Sequence, residues 1–185
     1  MRLLVIGAVA AGTSAAAKAR RNCEDAEIVI YEKDSFISYS GCGMPYYLAG
    51  EFSDAEELTP RTPDFFKRFY NIDIKTLHEV LAINPGEKSI TVKNLVTGEI
   101  FSDRYDRLII ATGAQAIDPP IKCIDRNNVF RLRNIGDMTK IQSFIELNNP
   151  RKAAIIGTGY VGLEMCESLA ARRIKVSMIE RLPRV

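Results

Sequence analysis

The sequence predicts an α/β chain with two parallel βαβ units, the first of which is continued by a small antiparallel meander. Two observations carry that prediction. A strand, a glycine turn, an apolar helix and a second strand follow one another at residues 2–31 and again at 153–179, and a helix between two β-prone runs implies a parallel pair joined by a right-handed crossover. Between the two units lie short alternating stretches separated by turn residues, the pattern of a meander.

The elements follow in order. Residues 2–7 are a β-branched run ending at Gly7, residues 12–22 are alanine-rich and helical, and Glu27-Ile28-Val29-Ile30-Tyr31 is a second strand. Residues 33–63 read as irregular. Thr62-Pro63-Asp64 then supplies an N-cap, a proline for the first turn and an early acid, so a helix runs to about Tyr70. Stretches near 79–83 and 89–93, with Thr97-Gly98 in the turn that follows, form the meander, and Arg107-Leu108-Ile109-Ile110-Ala111 is a buried strand. The spacing of Ile135, Met138, Ile141, Phe144 and Ile145 predicts an amphipathic helix over 134–147, broken at Asn148-Asn149-Pro150. The second βαβ pattern has a strand at 154–156, a helix over roughly 160–172 and a strand at 175–179.

The 185 residues suffice for one sizeable core and part of another, with 46% hydrophobic and 26% charged residues, an ordinary globular composition. Lys and Arg total 25 against 23 acids, without a basic tract, so neither nucleic acid nor an anionic membrane is indicated as a partner. The apolar N-terminus gives way too soon to Lys18, Arg20 and Arg21 for a signal peptide or spanning helix, and a cytoplasmic location is expected. Cys23, Cys42, Cys123 and Cys166 form no C-x-x-C pair and no metal-ligand spacing, so no metal site is expected. The single histidine, His78, has no motif around it and reads as a strand-edge residue.

The turn Gly157-Thr158-Gly159-Tyr160-Val161-Gly162 is a full G-x-G-x-x-G between strand and helix, and Glu180 ends the next strand 18 residues after Gly162. Glycines there let the backbone approach a pyrophosphate at a helix N-terminus, and the acid can bond a ribose hydroxyl, which disfavours a 2′-phosphate and so prefers NADH over NADPH. The first turn, Gly7-Ala8-Val9-Ala10-Ala11-Gly12, keeps the outer glycines but has Val9 in the middle, and Glu32 follows Gly12 by 20 residues. Two Rossmann-like units in one chain suggest two cofactors, a flavin and a nicotinamide.

Between them lies Ser38-Tyr39-Ser40-Gly41-Cys42-Gly43-Met44-Pro45-Tyr46-Tyr47-Leu48, with Cys42 between glycines and Pro45 in a first helical turn. Free N–H groups and the positive end of a helix dipole favour a reactive thiolate. On the residues alone, an inert buried cysteine remains open.

The turn G-A-V-A-A-G, Glu32 in Tyr-Glu-Lys, S-G-C-G-M-P-Y-Y, the triplet Ala111-Thr112-Gly113 and G-T-G-Y-V-G-L-E together resemble the pyridine nucleotide–disulfide oxidoreductases over the whole sequence. Within them the single-cysteine branch fits best, and specifically the coenzyme A disulfide reductases, including rhodanese-fused forms acting on coenzyme A persulfides. The resemblance implies FAD at Gly7, Val9, Ala10, Ala11, Gly12, Glu32, Lys33, Thr112 and Gly113, with residues 1–149 as the FAD-binding domain. It implies NADH at Gly157, Gly159, Gly162 and Glu180, with residues 150–185 as the beginning of an NAD-binding domain.

Cys42 would be the redox residue, receiving electrons that pass from NADH through FAD and attacking a coenzyme A disulfide or persulfide. Ser14, Lys18 and Arg21 lie at i, i+4 and i+7 on the first helix. They read either as a solvated face or, with Ser38, as coenzyme A contacts. The C-x-x-x-x-C of dithiol members is absent, and Cys23, Cys123 and Cys166 are assigned structural roles. The resemblance also implies a homodimer. Single-cysteine NADH oxidases and peroxidases, which cycle a sulfenic acid, usually carry a histidine in the first turn where this chain has Ala10. With the second unit stopping two strands in, residues 1–185 alone are expected not to turn over NADH, a dinucleotide-binding fragment without catalysis being the other alternative, and their exposed apolar face favours self-association.

Overall fold

The structure is a computed structural model and describes residues 1–122 and 124–183. Cys123 lies outside the described residues. By contacts the chain falls into two compact units, Met1–Tyr39 with Thr59–Ala114, and Ser40–Leu58 with Gln115 onward.

The first unit is built on a parallel sheet. Strand β1 (Arg2–Ile6) leads through the first glycine turn into helix α1 (Ala10–Asn22) and returns as β2 (Glu27–Tyr31), parallel to β1. Helix α3 (Pro63–Tyr70), whose Thr62 cap accepts the Phe65 N–H as the sequence predicts, leads into β3 (Asp73–Lys75), parallel to β2. The meander is β4 (His78–Asn84), β5 (Ser89–Asn94) and β6 (Ile100–Arg104), antiparallel throughout. Strand β7 (Arg107–Ile110) returns to pair with β1, giving the order β3-β2-β1-β7.

Alternation along β1 and β2 decides what covers each face. Leu3, Val5, Ile28 and Ile30 pack with Ala16 of α1, Phe66 of α3 and Ile72. Leu4, Val29 and Tyr31 pack instead with Ile90 and Val92 of β5. The sheet is thus covered by helices on one face and by the meander on the other. A polar pin joins the last two layers: Arg2 of β1 donates to both oxygens of Asp103 on β6 at 2.9 and 2.8 Å, and the Tyr31 hydroxyl donates to the same carboxylate at 2.7 Å. Burial alone would raise the Asp103 carboxyl, but the bonds from Arg2 and Tyr31 outweigh it and hold it below the usual carboxylate range.

Two sequence expectations need correction. Residues 33–63 are not irregular throughout: they hold a 3-10 turn at Gly41–Gly43, helix α2 (Met44–Ala49) and a second 3-10 turn at Ala55–Leu58. Pro45 opens α2 and Gly50, in a left-handed conformation, closes it after six residues. Strand β7 is not buried either, with Ile110 62% exposed, because it is the edge of its sheet and has a strand partner on one side only among the described residues.

In the second unit, α2 packs against helices α4 (Ile135–Asn148) and α5 (Tyr160–Ala171). That packing is why the division by contacts departs from a boundary at residue 149. Strands β8 (Lys152–Ile156) and β9 (Lys175–Ile179) are parallel and joined through α5.

Candidate functional site

The first glycine turn is shaped by backbone crowding. Gly7 has φ +100°, and a Cβ there would press on the Ala111 carbonyl, 2.9 Å from its carbon. A Cβ on Gly12 would stand 2.9 Å from the Gly7 carbonyl carbon and closer still to its oxygen. Only hydrogen fits at either place. The Gly7 N–H donates to the Tyr31 carbonyl at 2.8 Å. Glu32, 8% exposed, turns back on the loop: Ala8 N–H donates to its Oε2 at 2.7 Å and Asp34 N–H to its Oε1 at 3.0 Å. Thr112 and Gly113 continue from the Ala111 carbonyl that abuts Gly7, so the 111–113 segment starts beside the Gly7–Gly12 turn onto which Glu32 folds. Ser38 joins them, its N–H donating to the Ala8 carbonyl at 2.8 Å. Lys33 is exposed and makes no polar contact among the described residues.

The second turn repeats the first nearly bond for bond. Gly157 has φ +96°, and its N–H donates to the Ile179 carbonyl at 2.9 Å. A Cβ on Gly162 would crowd the Gly157 carbonyl. The acid again folds onto the turn, with Thr158 N–H donating to Glu180 Oε2 at 2.9 Å and the Thr158 hydroxyl adding a bond at 3.0 Å. Arg181 and Leu182 N–H groups donate to Oε1 at 2.7 and 2.9 Å. The N–H groups of Leu182 and Thr158, with the Thr158 hydroxyl, draw the Glu180 carboxyl down to about 2.

The middle position explains the imperfect first motif. Val9 (φ −95°, ψ −149°) and Gly159 (φ −68°, ψ 176°) both avoid the left-handed region, so the backbone demands glycine at neither. A Cβ on Gly159 would meet nothing within 4 Å. The turn therefore tolerates valine with its shape unchanged.

Among the described helices, α2, which opens after Gly43, and the two that follow the glycine turns start without a side-chain cap. Helices α3 and α4 are capped by the side chains of Thr62 and Asn134, whereas α1 and α5, which follow the glycine turns, have no side-chain cap. Their first-turn N–H groups and dipoles are left for an anion such as a pyrophosphate. The residues present therefore fit a dinucleotide at each turn.

Cys42 lies in the 3-10 turn leading to α2 and is exposed, not buried. It belongs to the second unit, and the first glycine turn to the first. Ser14, Lys18 and Arg21 are exposed, and their side chains make no hydrogen bond or ion pair among the described residues. Arg20 beside them is structural: its guanidinium donates to the carbonyls of Tyr70 and Asn71 at 2.8 Å each, locking α1 to the end of α3. Nothing in the sequence distinguished Arg20 from its neighbours. Cys23 and Cys166 are partly buried. His78 opens β4, its Nδ1 2.7 Å from the Thr76 carbonyl and its ring against Tyr31 and Phe101, as befits a structural residue. Among the described residues no group of His, Cys, Asp and Glu is placed to hold a metal, and no helix is long and apolar enough to cross a membrane.

A family model described as pyridine nucleotide-disulphide oxidoreductase matches residues 1–185. A coenzyme A disulfide reductase of Staphylococcus haemolyticus is 40% identical over 184 residues, which are 100% of this chain and 41% of that relative. An NADH oxidase of Methanocaldococcus jannaschii is 38% identical over 186 residues, with the same two coverages. The structure of an NAD-dependent persulfide reductase from A. fulgidus matches with a TM-score of 0.95 at 35% identity, over 100% of this chain and 34% of that one. The chain spans about two fifths of the length of the curated relatives it matches.

Proposed function

Since the chain belongs to the pyridine nucleotide-disulphide oxidoreductase family, we propose that it is the cofactor-binding part of an enzyme that reduces coenzyme A disulfide or a coenzyme A persulfide through Cys42. The carrying observation is the duplicated turn, in which a glycine at positive φ, a second glycine five residues on with no room for a Cβ, a clamped acid and an uncapped helix recur together. One such turn suits one dinucleotide, and two suit FAD and NADH. In this reading Gly7–Gly12, Glu32, Lys33, Thr112 and Gly113 hold FAD within a domain spanning residues 1–149. Gly157, Gly159, Gly162 and Glu180 hold NADH in the domain that begins at 150.

FAD, when bound, carries the electrons of NADH to the cysteine. The Cys42 thiolate attacks one sulfur of the substrate disulfide, the S–S bond breaks, and the departing thiolate takes up a proton. Cys42 is left in a mixed disulfide. Two electrons and a proton then release the second thiol and return Cys42 to the thiolate. The unengaged cations Lys18 and Arg21, with Ser14 and Ser38, are suited to the phosphates of coenzyme A.

A second reading, an NADH oxidase cycling Cys42 through a sulfenic acid, is favoured by the Methanocaldococcus jannaschii relative. One comparison separates the two: NADH oxidation by the whole protein with coenzyme A disulfide, coenzyme A persulfide, peroxide or oxygen, in wild type and Cys42→Ser. We expect the coenzyme A substrates to be preferred, and Cys42→Ser to lose about 10⁴-fold in rate while retaining flavin absorbance. Faster turnover with oxygen or peroxide would overturn the first reading in favour of the second.

A further inference from the structure

The two turns also differ at their second position. Where the first has Ala8, which gives Glu32 a backbone N–H alone, the second has Thr158, which gives Glu180 both its N–H and its hydroxyl. With the Arg181 and Leu182 N–H groups, four donors among the described residues fall on the Glu180 carboxylate against two on Glu32, and a carboxylate has about four lone-pair directions. The terminal carboxylate torsion is soft, so the donors around it fix its orientation. Thr158 is 7% exposed, which anchors the hydroxyl.

We propose that Thr158 is a positioning residue for nucleotide specificity: its hydroxyl locks Glu180 across the place a ribose 2′-substituent would take, so that the chain admits a 2′-hydroxyl and rejects a 2′-phosphate. This rests on the reading of residues 157–162 as the nicotinamide-dinucleotide turn. A fixed anion cannot swing aside to lessen its repulsion of a phosphate, whereas one held by fewer donors can. The low proton affinity of Glu180 keeps that charge in place at any ordinary pH. The hydroxyl is the one side-chain member of the clamp, and replacing Thr158 by alanine gives the second turn the donor from position 158 that Ala8 supplies in the first.

The test is calorimetric titration of NAD⁺ and NADP⁺ into the oxidised whole protein, as wild type, Thr158→Ala and Thr158→Ser, with heat-unfolding midpoints recorded for each. The ratio of the NADP⁺ to the NAD⁺ dissociation constant should fall about fivefold in Thr158→Ala, the scale of one ordinary hydrogen bond, and return to within about twofold of wild type in Thr158→Ser. Should alanine disturb the fold, Thr158→Val keeps the shape and lacks the hydroxyl. A ratio that is unchanged or raised in a folded hydroxyl-free variant overturns the role of Thr158 and leaves the nucleotide reading standing. Loss of discrimination in Thr158→Ser equal to that in alanine also overturns it. If wild type binds neither dinucleotide, the nucleotide reading itself fails.

Discussion

Replacing Gly12 with alanine should be among the most damaging conservative changes available in the first unit. An added Cβ would stand 2.9 Å from the Gly7 carbonyl carbon and 3.3 Å from Val5 Cγ1, closer to the Gly7 oxygen than either. The obstructing group is backbone, so no side chain can rotate away and α1 must move off β1. Overpacking of that kind costs about 1–3 kcal/mol. The shift also stretches the buried 2.7 Å bond from Ala8 N–H to Glu32, and bonds to charged groups contribute about 1.5–3 kcal/mol. Against this, alanine inside a helix gains about 1 kcal/mol over glycine. The net loss is about 1.5–5 kcal/mol. Urea unfolding of the whole protein measures it, with Gly86→Ala, where a Cβ meets no atom within 4 Å, as the neutral control. A Gly12→Ala midpoint equal to that of the control would refute the view that backbone approach fixes glycine there.

Two further changes probe the frame around the site. Asp103→Asn should lower stability at pH 7 by about 1–3 kcal/mol through weakened bonds to Arg2 and Tyr31. Because the folded carboxyl lies below its ordinary value, its contribution is present above the unfolded value and fades as pH falls through the folded one; urea unfolding at pH 7 and pH 3 should show the gap between variant and wild type narrowing, and a widening gap would contradict the assignment. Thr62→Ala should cost about 1 kcal/mol by removing the cap on Phe65 N–H, measured as a shift in the heat-unfolding midpoint, and no shift would mean solvent caps the helix equally well.

The parts of the fold written in side-chain pattern were legible in the sequence. The βαβ alternation, the Thr62-Pro63-Asp64 helix start and the meander carry local signals, and each appears with bounds within a few residues of those expected. Exposure of Ile110 was not legible, because an apolar run reads alike at the centre and at the edge of a sheet. Helix α2 was half visible through Pro45, but six residues carry too little periodicity to show a face. At the site, Glu32 and Glu180 stood out by spacing. Their partners, the N–H groups of Ala8, Asp34, Arg181 and Leu182, are main-chain donors with no residue signature. The pin from Arg2 to Asp103 joins residues about a hundred positions apart, which no local window could connect.

The acid clamps also bear on how fast the turns can capture a ligand. Each loop is tied to the end of its neighbouring strand by carboxylate bonds made within the chain, at 2.7 Å to Ala8 and 2.9 Å to Thr158. The ordering entropy of those residues is therefore spent during folding and not at encounter. A preorganised cradle of this kind leaves association limited by diffusion and orientation, with differences between ligands expressed chiefly in how quickly each one departs.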